Sequence, residues 1–175
     1  MDRIARIVRY REQMLDRAAI IAALSSARHD APELDELTER QDAQLHELVH
    51  EFAFGARKLV ELVGRAGFPS GAYSAKRTVT CTQAGPGDDD MDLALLSLRE
   101  VFGRIIHSDV FEIRRAHVPQ SDGPPSVKPT AWGFDVASDK DAAGVTLFVF
   151  LEFALTEFLT FNRLLGEDID RVAVL

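Results

Sequence analysis

Between residues 34 and 63 apolar side chains return every three or four positions without a break: Leu34, Leu37, Leu45, Leu48, Phe52, Ala56, Leu59 and Val63, with Gln41 holding one place in the row. That period is helical, and at 1.5 Å per residue it predicts one rod of about 50 Å. A rod with a single apolar stripe needs a partner to cover it. The segment from Asp2 to Ala27 supplies one, since Ile4, Ile7, Val8, Leu15, Ala18 and Ala22 recur near helical spacing with arginines between them. Asp30-Ala-Pro-Glu33 reads as the start of the long helix, with Asp30 as cap, Pro32 in the first turn and Glu33 closing a capping box. Gly64 and Gly67 read as its stop. The two segments are expected to form an antiparallel helical hairpin.

Charge supports that pairing. Residues 1–29 hold six arginines against three acids, whereas residues 30–52 hold eight acids against Arg40 alone, so the two helices should attract each other where they lie side by side.

Residues 67–88 are rich in Gly and Pro and lack helical period, which predicts a long connection with a short strand at Thr78 to Thr82. The acids Asp88, Asp89, Asp90 and Asp92 then precede Met91, Leu95, Leu98, Phe102 and Ile105. This pattern predicts a third helix running to His107, with acids gathered at its positive end. Beyond it, Phe111 to Val118, Thr130 to Val136 and Val145 to Phe150 read as two or three antiparallel strands, with Trp132, Phe134 and Val136 on one face. A closing helix is expected from Glu152 to Leu165, ended by Gly166. The aromatic content of Phe148, Phe150, Phe153, Phe158 and Phe161 fits core packing, and any surplus would serve a dimer interface.

The expected fold class is therefore α+β, mainly α. It is a helical bundle with a long helical hairpin, a small C-terminal antiparallel β-hairpin and a closing helix, in a single domain over 1–175. The helical part runs to 108, the β part covers 109–150 and the closing helix 151–166.

The 175 residues, 46% of them hydrophobic, exclude a disordered, collagen-like or disulfide-stapled chain. A net charge of −8 disfavours steering toward DNA or an anionic bilayer. Cys81 is the single cysteine, so no intrachain disulfide can form and a reducing, cytoplasmic setting is expected. Glu152 and Glu157 interrupt the most apolar run, Val145 to Phe161, and argue against a membrane span.

His46-Glu47-Leu48-Val49-His50 has the HExxH spelling and falls within the predicted long helix. Imidazoles at i and i+4 share a helix face and can hold Zn²⁺ together, with Glu47 placed as general base toward a metal-bound water. A zinc-dependent hydrolase with metal ligands His46 and His50 is one reading. It needs a third ligand, for which Glu61, the aspartates at 88–92 and His107 are candidates. Ala56 stands where one large subclass carries its third His, and Glu51 directly follows the second. Without a metal, His46 and Glu47 belong on a solvated face and His50 half-buried beside the first helix.

The hairpin layout, together with Leu98-Arg-Glu-Val-Phe-Gly-Arg-Ile-Ile-His107-Ser-Asp109, resembles the HEPN superfamily, including its bacterial branches linked to phage defence and toxin–antitoxin loci. The likeness covers residues 31–110. It implies a dimerising helical module that, in active members, cuts RNA without metal through an Arg followed by four to six residues and a His. Arg104 and His107 are the catalytic candidates under that resemblance, although only two residues separate them and seven separate Arg99 from His107. Arg40 and His46 have the family spacing. His can serve as general base toward a 2′-hydroxyl and Arg can hold charge on phosphate.

Three smaller patterns carry less. Asp88, Asp90 and Asp92 alternate as in a calcium loop, but Leu93 and Arg99 occupy the positions that need Gly and Glu. Gly85-Pro86-Gly87 lacks the Lys-Ser/Thr of a phosphate loop. Trp132 and Phe134 could stack a base, yet alternating strand aromatics mostly face a core. The sequence thus predicts a HEPN-like, RNA-associated or partner-binding module, expected as a homodimer and needing no cofactor. A zinc hydrolase and a non-catalytic oligomerisation protein are the alternatives.

Overall fold

The long apolar stripe forms α2 (Asp35–Ala66), which packs antiparallel on α1 (Arg3–Ser26) in the computed structural model. The structure describes residues 3–26, 35–85, 91–116, 130–138 and 145–173; the proposed cap at Asp30 lies outside them. The 32 residues of α2 span about 48 Å. Ile7, Met14, Ala18 and Ile21 of α1 are fully or nearly buried against it. Met14 packs directly over Gly55, where a Cβ would run into its sulfur. Arg17 of α1 reaches Glu51 of α2 at 2.9 Å, the expected attraction between the basic and acidic segments. Gly67, at φ 78°, turns the chain out of α2.

A one-and-a-half-turn helix, α3 (Pro69–Ser74), follows, and its first amide, Ser70 N–H, donates to Asp168 Oδ2 at 2.8 Å. Then come β1 (Val79–Ala84), β2 (Asp92–Leu96), α4 (Leu98–Ile106), β3 (Ser108–Ala116), β4 (Thr130–Ser138), β5 (Thr146–Phe150) and α5 (Leu151–Ala173). The five strands form one antiparallel sheet in the order β2-β1-β5-β4-β3.

This architecture overturns the expected layout of a helical bundle with a small C-terminal hairpin. Strand β1 overlaps the short strand expected at Thr78 to Thr82, whereas β2 comes from the region read as the third helix, and together they complete a five-stranded sheet. The physical reason lies at Ser97. Its Oγ accepts from Glu100 N–H at 3.2 Å while Glu100 Oε2 accepts from Ser97 N–H at 2.8 Å. This reciprocal capping box starts α4 at Leu98. Residues 92–96 are left free to pair with β1, Leu95 against Thr80 and Leu93 against Thr82. Asp92 therefore sits in a strand and does not cap the helix; 88–90 lie outside the described residues.

Two further expectations are corrected. Helix α5 runs through Gly166 to Ala173 rather than stopping there. The missing Cβ gives room to Arg11, whose guanidinium would lie 3.1 Å from it. Trp132 does not share a face with Phe134 and Val136. The β3–β4 register steps from Arg114↔Gly133 to Arg115↔Ala131, so Trp132 is the extra residue of a bulge and is turned to the other side.

The helices cover one face of the sheet. Val79, Cys81, Phe134, Val136, Leu147 and Val149 are 0–1% exposed there. Phe52 of α2 meets Phe102 of α4 at 5.6 Å and Phe158 of α5 at 4.8 Å, edge to face, joining three helices at the centre of the core. No helix among the described residues is long and apolar enough to cross a membrane.

Candidate functional site

The opposite face of the sheet carries no described helix, yet it is not polar. Phe148 and Phe150 of β5 point to it, since their neighbours Leu147 and Val149 point into the core. Gly133 lies beneath the Phe148 ring, where a Cβ would collide with it and with the Val149 carbonyl. The bulged Trp132 packs 5.0 Å from Phe148 and 5.6 Å from Phe150. Phe150 then meets Phe153, in the first turn of α5, at 5.3 Å. Four aromatic rings thus run from the middle of the open face around the start of α5. Trp132 and Phe153 remain 46% and 44% exposed. They border a groove of about 490 Å³ that Ala22 and Ser25 of α1 and Leu155 and Leu159 of α5 also line.

On the same face, Leu93 and Leu95 of β2 are 75% and 51% exposed. The β3 side is different, for Arg114 pairs there with Asp135 and approaches Glu112. The open face therefore carries leucines over β2, aromatic rings over β5 and the Trp132 bulge, with Thr80 and Thr82 of β1 between the two, and charges over β3.

The HExxH residues lie at the other face, where α2 crosses β3. His46 and Glu47 are exposed and His50 is half-buried. The expected neighbour of His50 was the first helix; its actual neighbours are on β3. The His46 and His50 rings are 4.6 Å apart, and each sits within 4.8 Å of the Phe111 ring. His50 Nδ1 is 2.9 Å from the His46 carbonyl, which can only accept, so Nδ1 carries the proton. Metal binding by His50 would then fall to Nε2, which faces the Ser108 hydroxyl at 3.3 Å. Burial and the neighbouring His50 hold the His46 pKa below its ordinary 6.5, with Glu47 opposing them. A neutral imidazole is what a metal needs. Nevertheless, no group of three His, Cys, Asp or Glu among the described residues is placed to share an ion. Glu61, a proposed third ligand, is instead bound to Arg57 at 3.4 Å.

The resemblance-derived pair sits at the end of α4. His107 is the C-cap, and its Nε2 lies 3.4 Å from Arg57 Nη1 of α2. The positive charge of Arg104 acts on Glu100 and Cys81, toward the sheet. Arg57, missed in the sequence, thus stands where Arg104 was expected. It lies across Gly103, whose Cβ would come within 3.4 Å of it. With Phe54, Lys58, Glu61 and Ile106 these two residues line a pocket of about 250 Å³. Arg40 pairs with Glu36 at 2.7 Å on the exposed side of α2.

Cys81 is free and buried, and burial pushes its thiol pKa up to about 12. That is the opposite of what a nucleophilic cysteine requires. Comparison with protein families, curated proteins and solved structures finds no match for this chain.

Proposed function

We propose that this chain is a non-catalytic protein-interaction module whose working surface is the open face of its sheet. The observation that carries this reading is the run of rings Trp132, Phe148, Phe150 and Phe153, with Trp132 set outward by its own bulge. Phe148 is buried beneath the run, so Trp132 and Phe153 present its exposed apolar surface, which marks interaction sites, and tryptophan with a neighbouring groove is the residue type that dominates binding energy in interfaces. Replacing Trp132 and Phe153 together by Asp tests it. Both are half-exposed, so the fold should survive, while the hydrodynamic size of the chain in extract of the cells that make it should fall to that of the isolated protein. An unchanged size would contradict the proposal.

A second reading follows from the Arg57–His107 contact. Arg57, Lys58 and His107 around one pocket are groups that hold a phosphate, which fits the RNA association implied by the HEPN resemblance. Fluorescence anisotropy with a labelled single-stranded RNA tests it. Binding should weaken with salt and be lost in Arg57→Glu; binding unaffected by Arg57→Glu would exclude this pocket.

A further inference from the structure

The two edges of the sheet differ in how they are guarded. Edge strand β3 is nine residues long, carries Glu112, Arg114 and Arg115, and contains two register shifts; charges and bulges of this kind discourage pairing with another chain. Edge strand β2, Asp-Leu-Ala-Leu-Leu, has an unbroken register with β1 and one charge, at its first residue. Its brevity is its chief protection. On the open face its two leucines are largely exposed, and Met91, just before it, is 62% exposed.

We propose that β2 is the docking edge for a second copy of this chain, the two β2 strands pairing antiparallel about a two-fold axis to join the sheets into one of ten strands. The sequence of the strand is self-complementary in that arrangement. With Ala94 on the axis all five residues pair, and Leu93 lies opposite the partner's Leu95, so four leucines cluster on the open face. A slip of two residues in either direction leaves only three residues paired and keeps just one pair of these leucines opposed.

Charge points the same way. Asp92 begins the strand, and Asp88, Asp89 and Asp90 precede it in the chain. At the other end stands Arg99, exposed; Arg77, adjacent to Thr78, whose amide donates to the Leu96 carbonyl, also lies there but is paired with Glu100 at 3.7 Å. Antiparallel pairing sets Asp92 of each copy toward the end of the other that carries Arg99, twice by symmetry. The contact would bury on the order of 1,000 Å² in total, the low end for a specific complex. The dimer is accordingly reversible and concentration-dependent.

This inference rests on the open-face reading, because the leucine cluster extends that face. Sedimentation velocity on the purified full chain over a concentration series tests it. The wild type should pass from monomer to dimer. The double variant Leu93→Lys with Leu95→Lys should remain monomeric with unchanged circular dichroism, and Trp132→Asp with Phe153→Asp should still dimerise. A wild type that stays monomeric, or a dimer that survives the lysines, overturns β2 pairing. A dimer lost only in the Trp132/Phe153 variant overturns it as well, while leaving the open-face reading intact. Should the lysine variant misfold, mixing Leu93→Cys protein with Leu95→Cys protein under mild oxidation decides. A disulfide-linked dimer formed more readily in the mixture than in either alone is expected, and no gain in the mixture overturns the register. The native Cys81, being buried, does not compete.

Discussion

The indole of Trp132 rests 5.0 Å from the ring of Phe148, on the side of the sheet away from the helices. That contact depends on two local features. The bulge turns Trp132 over, and Gly133 leaves the space into which Phe148 leans.

Gly133→Ala should therefore be costly. The added methyl meets the Phe148 ring and, at 2.5 Å, the Val149 carbonyl oxygen, which is backbone and cannot swing aside. Overpacking of this kind costs about 1–3 kcal/mol, so the urea midpoint should fall clearly, and the emission of the single tryptophan should change with it. An unchanged midpoint would show that Phe148 does not occupy this place.

Ser97→Ala removes one half of the capping box that starts α4 and should lower stability by about 1 kcal/mol in chemical denaturation. The same cap makes a pH prediction. Hydrogen bonding from the Ser97 backbone amide holds the Glu100 carboxyl below its ordinary 4.5. A depressed folded pKa contributes stability that is present above 4.5 and lost as pH falls through the folded value. Glu100→Gln should flatten the stability profile in that acid window; an unaltered profile would contradict the assignment.

Asn162 is 1% exposed within α5, and neither atom of its side-chain amide has a partner among the described residues. An unsatisfied buried amide is worth roughly 1–3 kcal/mol of destabilisation. Asn162→Leu, which keeps the branching at Cγ, should raise the melting temperature. A fall instead would mean that the amide is satisfied by water or that the site has no room for the extra methyl hydrogens.

The His46 ring should titrate by NMR with a midpoint below 6.5, since burial and His50 disfavour its charged form. The sign for stability follows directly. The unfolded chain takes up this proton first on acidification, so the contribution of His46 is complete above 6.5 and is lost as pH falls below it. A midpoint at or above 6.5 would contradict the packing of His46 on Phe111 and His50.

The helical hairpin was legible because one period persists for thirty residues, long enough for side-chain burial to override local ambiguity. Strand β2 was not. Met91, Leu95, Leu98 and Phe102 mimic a helical row, and only the Ser97-x-x-Glu100 pair, a capping signature, marks the true start of α4. The place of Trp132 was out of reach for another reason: a bulge is a property of two strands, and alternation within β4 alone assigns the residue to the wrong face. The partner of His107 was equally hidden, because Arg57 lies fifty residues away and is brought to it only by the packing of α4 on α2. Spacing within one helix pointed to Arg104 instead.

Photo-crosslinking from position 132 tests the central claim most directly. With a photoreactive phenylalanine analogue in place of Trp132, irradiation of cells making the chain should yield a discrete covalent adduct, and the same analogue in place of Glu39, exposed on α2, should not. No adduct from position 132, or the same adducts from both positions, would contradict the assignment of the open sheet face as the working surface.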